Sequence, residues 1–157
     1  DINSLVIRKE IRTLNNTRYI LIELPFNSRL NGLDDYLYEL ELKGYKIIIA
    51  HPERYKYFQD DYKLASELYS SGVLFQCNYG SIVGQYGTSS MKLVKHLLKE
   101  NMVDFMCSDV HKPNSSLFDD FEEIKSKIIK IIGLDKFNLI TNDNMLKVIN
   151  DVDIIKD

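Results

Sequence analysis

The sequence is short of cysteine, of basic charge and of long apolar runs, and each shortage excludes a class of protein. Its two cysteines, Cys77 and Cys107, fit no zinc-ligand spacing. Each lies in or just after an apolar run, so we interpret both as small buried hydrophobic residues. Such sparse cysteine usage is typical of a reducing cytoplasm, where we expect this protein to be.

Charge and hydropathy exclude two further classes. The net charge is −3 and no run of Arg or Lys is present, so we expect no nucleic-acid partner. No apolar stretch approaches the length of a membrane span. The opening residues, DINS, lack the basic and apolar regions of a signal peptide. They also lack an initiator Met, which suggests a piece of a longer protein or a processed chain.

The composition predicts one domain over residues 1–157, because 45% of the residues are hydrophobic and 27% are charged. Along the chain a unit recurs: a short apolar run, a polar or Gly-containing loop and a helix-like stretch. The predicted strands are residues 18–23, 46–50, 73–76, 103–107 and a short fifth at 137–141. The predicted helices are residues 2–14, 33–43, 62–71, 89–101 and 118–132, with a small helix from Asn142.

These strands are apolar throughout, which is typical of strands that are buried on both faces. Their alternation with helices predicts an α/β fold with a parallel sheet and right-handed crossovers. The chain supplies four or five such units, whereas a closed barrel normally needs about eight units and roughly 250 residues. The pattern therefore leaves open a smaller open sheet or part of a barrel whose earlier strands are absent.

Polar residues that carry chemistry follow the predicted strands. Glu23 ends the first strand, His51 directly follows the second, and Asp109 and His111 follow the fourth. In parallel α/β folds functional groups lie at this carboxyl edge. Glu23 could instead pair with a surface lysine, and His51 could be a core histidine. We favour function, because an unpaired carboxylate is costly at a buried strand end and Asp-x-His shares one face in extended backbone. The third histidine, His96, is predicted to lie at the surface or to take part in helix packing.

A ligand set of carboxylates and imidazoles, drawn from the residues at these strand ends, suits Mn, Fe or Zn better than Ca or Mg. Two or more such ions can clamp a phosphate and activate water. Arg54 lies three residues past His51 and can offer a forked donor to phosphate oxygens. This combination predicts hydrolysis of a phosphomonoester without a covalent intermediate. Four ligands do not fill a site of two or three ions, so further ligands must come from elsewhere.

A Gly-rich loop, residues 78–90 (NYGSIVGQYGTSS), follows the third strand. It is no nucleotide-binding Walker motif, because the Gly-Lys-Ser/Thr core is absent. Its glycines permit tight turns next to a ligand, and we predict that Asn78 and Ser81 contact substrate. The alternative is a flexible loop that only precedes the next helix.

Four stretches in series resemble one known family. They are residues 17–25 (TRYILIELP), 44–54 (GYKIIIAHPER), 76–87 (QCNYGSIVGQYG) and 108–111 (SDVH). Together they resemble the CpsB/CapC-type bacterial tyrosine-protein phosphatases of the PHP (polymerase and histidinol phosphatase) superfamily. The resemblance covers the C-terminal two-thirds of that family. It implies a distorted TIM-like (β/α)7 barrel, here without its N-terminal strands, and a cluster of two or three metal ions, usually Mn2+.

The resemblance also implies roles for individual residues. Glu23, His51, Asp109 and His111 would be metal ligands, and Arg54 would bind the substrate phosphate. His51, Arg54 and His111 would form the catalytic set. The implied substrate is phosphotyrosine on a bacterial tyrosine kinase that controls capsular or extracellular polysaccharide synthesis.

Two departures from the family bear on activity. The family begins with a His-x-His strand and further ligands, none of which is present here. The family also has an arginine where this chain has Ser116, and Lys112 would supply only a point charge to substrate. A phosphoesterase for a small phosphomonoester and an inactive binding domain therefore stay as alternatives, and a homo-oligomer is left open.

Overall fold

A computed structural model describes residues 12–111, 117 and 119–156 of the chain. These residues form a four-stranded parallel sheet in which the strand order is the chain order. The strands are β1 (Tyr19–Ile22), β2 (Lys46–Ala50), β3 (Leu74–Asn78) and β4 (Phe105–Cys107). The helices of this part are α1 (Leu33–Leu42), α2 (Lys56–Asp60), α3 (Tyr62–Ser70), α4 (Tyr79–Ile82), α5 (Thr88–Lys99), α6 (Phe121–Ile132), α7 (Leu134–Asn138) and α8 (Asn144–Ile149). Short 3-10 turns cover Leu14–Asn16 and Pro52–Arg54, and a π-helix covers Leu139–Asp143.

Both faces of the sheet are covered at the inner strand β2, whereas Leu21 of the edge strand β1 is 45% exposed. On β2, Ile47 and Ile49 belong to the large core cluster beneath the crossover helices. Ile48, between them, points to the other face and packs in a smaller cluster with Val148 of α8. The alternation of side chains along a strand therefore divides one apolar run between two cores. This confirms the predicted α/β fold and its parallel sheet.

The predicted fifth strand is wrong. Residues 137–141 lie in α7 and the π-helix that follows it. The buried residues of this region are Phe137, Ile140, Asn144 and Val148, which are spaced by three or four positions. That spacing places them on one face of a helix, although the local composition FNLIT is rich in strand-forming residues.

Other boundaries differ less. Residues 56–60 form the short helix α2, which was not predicted, and α4 forms where a flexible loop was one alternative. The predicted helix at 2–14 lies almost wholly outside the described residues. No helix within the described part of the chain is long and apolar enough to cross a membrane.

The residues after α8 return to the amino edge of the sheet. Asp151 accepts hydrogen bonds from the backbone N–H and from Nε of Arg18, at 3.0 and 3.1 Å. The hydroxyl of Tyr19 donates to the carbonyl of Val152 at 2.7 Å. These contacts join positions 133 residues apart, so the C-terminal strap, residues 151–156, closes the amino edge beneath β1.

Lys156 at the end of the strap is partly buried. Its ammonium donates to the carbonyl oxygens of Tyr69 and Val73 and lies 3.4 Å from the centre of the Tyr69 ring. Burial lowers the pKa of Lys156 from 10.5 to about 8, although the charges of Asp104 and Glu41 oppose this shift. The charged form is therefore less favoured in the folded chain than in the unfolded chain.

Replacing Lys156 with methionine is expected to change how stability depends on pH. Because the folded pKa lies below the unfolded one, the cost of burying the ammonium is present below pH 8 and falls as the pH rises toward 10.5. The wild type should thus gain stability relative to Lys156→Met between pH 7 and about 9.5. Denaturant unfolding of both proteins at several pH values measures this difference, and titrating groups that do not interact with Lys156 cancel in the comparison. A difference that does not change with pH would contradict the prediction.

Candidate active site at the carboxyl edge of the sheet

The carboxyl edge of the sheet collects the polar residues that follow the strands. Each strand contributes through the segment directly after it, since parallel strands end at the same edge. The residues that lie at this edge are Glu23 after β1, His51 and Arg54 after β2, Asn78 at the end of β3, and Asp109 and His111 after β4.

His51 and Glu23 form the first pair of this site. Nε2 of the buried His51 ring lies 3.1 Å from Oε2 of Glu23. Phe26 stacks on the same ring with a centroid distance of 5.4 Å. The Glu23 side chain is 61% exposed, so the expectation that this carboxylate is costly to bury was wrong. The strand ends at Ile22, and Glu23 already lies at the open edge.

Two of the predicted ligands have left-handed backbone conformations. The φ angles of His51 and Asp109 are 35° and 49°. A residue other than glycine in this region costs on the order of 1 kcal/mol or more and is held by its surroundings. The backbone of His51 is held by a hydrogen bond from its N–H to the carbonyl of Gln76 at 2.6 Å. The extended backbone assumed for the Asp-x-His motif is therefore wrong at Asp109.

Arg54 lies between two aromatic rings. Its guanidinium carbon is 4.8 Å from the centre of the Phe26 ring and 4.3 Å from that of Tyr86. Nη1 of Arg54 is 3.4 Å from Oδ2 of Asp109, and Nδ2 of Asn78 donates to the same oxygen at 3.0 Å. The aromatic faces favour the cation and restrict its movement. The fork of Arg54 is thus held beside the carboxylate of Asp109.

His111 is the most exposed member of the site. Its Nδ1 lies 2.7 Å from the carbonyl oxygen of Asp109 and 3.4 Å from the Oδ1 of that residue. The His111 side chain is 78% exposed, so its ring is free to meet a ligand from outside. Lys112 and Ser116, the positions with the other predicted charge and the missing arginine, lie outside the described residues.

Glu53 was missed by the sequence reasoning and is fully buried. Its Oε1 accepts hydrogen bonds from the N–H of Asn78 at 2.9 Å and from the hydroxyl of Ser81 at 2.6 Å. Its Oε2 is buried and has no hydrogen-bond partner among the described residues. Burial raises the pKa of this carboxyl above its ordinary value. Glu53 therefore ties the segment after β2 to the segment after β3.

Asn78 and Ser81 are both fully buried beside this carboxylate. The amide of Asn78 reaches Asp109, whereas the hydroxyl of Ser81 is used by Glu53. Asn78 thus contacts the site directly, through Asp109, whereas Ser81 contacts the buried carboxylate of Glu53. Their contact with substrate stays a prediction.

The remaining sequence interpretations concern Cys77, Cys107 and His96. Cys77 is buried, as predicted, and burial raises the pKa of its thiol well above the ordinary value. Cys107 is half-buried, so its predicted full burial is wrong; burial raises the pKa of its thiol to about 12. His96 packs on Tyr62 with a ring-centre distance of 4.8 Å, which confirms its place in helix packing.

The residues at this edge fit a metal ion in part. His51 with Glu23, and His111 with Asp109, offer two pairs of nitrogen and oxygen donors. Nδ1 of His51 is a buried polar atom without a hydrogen-bond partner in the described part of the chain. No group of three or more His, Cys, Asp or Glu side chains within the described residues is arranged to hold a metal ion. Each pair could therefore supply only part of a coordination shell.

Comparison with known proteins identifies the family. The model of the family "Capsular polysaccharide synthesis, CpsB/CapC" matches residues 1–150. The chain belongs to the CpsB/CapC family. This confirms the resemblance drawn from the four sequence stretches.

Individual members of the CpsB/CapC family support this assignment. Tyrosine-protein phosphatase YwqE of Bacillus subtilis is 33% identical over 111 residues, which are 71% of this chain and 44% of that protein. Putative tyrosine-protein phosphatase CapC of Staphylococcus aureus is 39% identical over 66% of this chain and 40% of that protein. Tyrosine-protein phosphatase CpsB of Streptococcus pneumoniae is 28% identical over 92% of this chain and 61% of that protein.

A solved structure of the family matches the fold. It is described as belonging to the unique metal-dependent tyrosine phosphatases YwqE from Bacillus subtilis and CpsB from Streptococcus pneumoniae. The TM-score is 0.89 at 27% identity, and the match covers 99% of this chain and 62% of that one. The chain thus spans less than two-thirds of the length of these CpsB/CapC proteins.

Proposed function

We propose that this chain is the carboxyl-terminal part of the catalytic domain of a metal-dependent protein-tyrosine phosphatase. The observation that carries the proposal is the position of Arg54, which lies beside Asp109 and over the Phe26 ring that stacks on His51. A forked cation next to two pairs of metal-type donors suits a phosphate monoester. The relatives YwqE and CpsB are named tyrosine phosphatases, which supports phosphotyrosine as the ester.

We propose three roles for the residues of this site: metal binding, phosphate binding and positioning of a metal ligand. Glu23, His51, Asp109 and His111 hold the metal ions together with ligands from outside the described residues. A bound divalent metal would neutralise charge on the phosphoryl group and lower the pKa of water. Arg54 grips the phosphate oxygens, and Asn78 holds the carboxylate of Asp109 in place.

The proposed architecture is a distorted (β/α)7 barrel of the PHP type. The sheet order β1 to β4 follows the chain, and all pairs are parallel, as in a barrel. The first strands of the barrel would pair with β1 and bring the missing ligands. We propose that residues 1–157 belong to this one domain.

We propose manganese as the metal, as the resemblance to the CpsB/CapC family implies. The mixed imidazole and carboxylate ligands also suit Fe and Zn, and the relatives YwqE and CpsB are described as metal-dependent. The proposed partner is a phosphotyrosine-bearing kinase of polysaccharide synthesis, in keeping with the description of the family. We propose that the protein acts in the cytoplasm, because its proposed kinase partner uses ATP there. The free thiols of Cys77 and Cys107 would stay reduced in that compartment.

The test is a panel of substrates assayed with purified protein. The protein is produced with any residues that its coding region places before Asp1. We expect hydrolysis of a phosphotyrosyl peptide that requires added Mn2+ and stops with a chelator. A preference for sugar phosphates would instead favour the small-molecule phosphoesterase. A protein that binds metal but hydrolyses none of the substrates would favour the alternative of an inactive binding domain.

Replacing Arg54 with lysine is expected to lower kcat/KM for the phosphotyrosyl peptide by about 10- to 100-fold, since the two-pronged hydrogen bond is lost. The lysine ammonium also loses the stacking on Phe26 and Tyr86. Steady-state kinetics measure the loss. Arg18→Lys is the matched control, because Arg18 lies at the opposite edge of the sheet, and it should retain wild-type kinetics. Equal effects of the two substitutions would contradict the role of Arg54.

A further inference from the structure

The tyrosine that follows Arg54 bonds to the ends of two neighbouring strands. Tyr55 is fully buried, and its hydroxyl donates to the carbonyl of Ala50 at 2.7 Å. The same hydroxyl accepts a hydrogen bond from the N–H of Leu24 at 2.8 Å. Leu24 directly follows Glu23, and Ala50 directly precedes His51. One hydroxyl thus bonds to the backbone next to each member of the Glu23–His51 pair.

The register of the sheet shows what this hydroxyl replaces. Ile22 of β1 is opposite Ile49 of β2. Continued by one residue in a parallel ladder, this register would join the N–H of Leu24 directly to the carbonyl of Ala50. The hydroxyl of Tyr55 stands between these two groups and satisfies both. It therefore separates β1 from β2 at the position where Glu23 and His51 leave the strands.

The surroundings keep the Tyr55 ring in place. It packs against Phe26 and His51 at ring-centre distances of 5.7 Å each, and it stacks on Tyr57 at 5.6 Å. The backbone N–H of Lys56 also donates to the carbonyl of Phe26 at 2.8 Å. The loop after β1 thus contacts the segment after β2 at several points. Among these contacts, the Tyr55 hydroxyl forms the hydrogen bonds that link the ends of β1 and β2.

We propose that Tyr55 is a positioning residue that sets the distance between Glu23 and His51 for metal binding. This inference rests on the proposed roles of those two residues. With phenylalanine at position 55 the N–H of Leu24 and the carbonyl of Ala50 either bond directly or lose their partner. In the first case β1 and β2 approach each other, and in the second the strand ends are no longer fixed. Either change moves Glu23 relative to His51.

The experiment compares Tyr55→Phe with two matched tyrosine variants in the protein with its natural upstream residues. Tyr69→Phe also deletes a partly buried hydrogen bond, from the Tyr69 hydroxyl to Asp104 at 3.1 Å, but at a residue outside the carboxyl-edge site. Tyr57→Phe deletes a buried hydroxyl that has no hydrogen-bond partner among the described residues. Mn2+ affinity is measured by electron paramagnetic resonance, and the ring signals of His51 are measured by NMR in the metal-free protein.

We expect Tyr55→Phe to weaken Mn2+ binding by about 10- to 100-fold, the range found when groups that orient metal ligands are removed. Its kcat should fall, and the His51 signals should shift without metal. Tyr69→Phe and Tyr57→Phe should bind Mn2+ as the wild type does. Wild-type affinity and unshifted His51 signals in Tyr55→Phe, or an equal loss in Tyr69→Phe, would overturn the inference. A wild type that binds no Mn2+ would instead refute the proposed function, and the metal-free His51 signals would still decide the role of Tyr55.

Discussion

His51→Ala is expected to lower kcat for phosphotyrosine hydrolysis by about 10³-fold or more, since loss of a metal ligand removes several kcal/mol of transition-state stabilisation. The substitution removes the Nε2 that faces Glu23 and the ring that stacks on Phe26. It also places alanine at a φ of 35°, a backbone conformation that alanine adopts poorly. Activity and metal content measured on the same sample separate the loss of the ligand from unfolding.

The control for His51→Ala is His96→Ala. His96 contacts Tyr62 between two helices and takes no part in the carboxyl edge. We expect it to keep wild-type turnover and metal content. Full activity of His51→Ala would remove this histidine from the mechanism, and an equal loss in His96→Ala would point to instability as the cause.

Glu53→Ala is expected to reduce the free energy of unfolding by about 2–4 kcal/mol, because it leaves buried donors without an acceptor and opens a cavity. The donors are the N–H of Asn78 and the hydroxyl of Ser81. Since Asn78 holds Asp109, the change should also lower phosphatase activity. Urea unfolding followed by circular dichroism measures the stability.

Two variants frame the Glu53 result. Glu53→Gln keeps an oxygen that can accept both hydrogen bonds, so it should retain more stability than Glu53→Ala. Glu67→Ala removes a surface carboxylate that pairs with Lys63 and should change the stability by less than about 0.5 kcal/mol. If Glu53→Ala were as stable as Glu67→Ala, the buried carboxylate would have no structural role.

The strands and the carboxyl edge could be predicted because they depend on local patterns. Three isoleucines in a row at 47–49 predict a strand buried on both faces, and His51 follows it at once. The parallel arrangement follows from the alternation with helices. Position along the chain was therefore enough to find Glu23, His51 and Asp109 as candidates.

The parts that could not be predicted depend on contacts between distant residues. Nothing in the local sequence marks Glu53 as buried, since a glutamate is normally exposed. The two donors that bond to its carboxylate, on Asn78 and Ser81, lie 25 and 28 positions further along the chain. Tyr55 is one of ten tyrosines, and only the register of β1 on β2 gives its hydroxyl a distinct place. The segment 137–141 was misread because a short apolar run does not distinguish a strand from a helix.

The C-terminal strap has a consequence for the synthesis of the protein. The N–H of Arg18 and the hydroxyl of Tyr19 find their partners in Asp151 and Val152, 133 residues later. At about 5–20 residues added per second, the amino end of β1 therefore lacks these partners for several seconds or more during synthesis. Throughout that interval the amino edge of the nascent sheet is open to water and to other chains. Chaperone dependence of this protein is accordingly expected to concentrate on nascent chains that have not yet reached the strap.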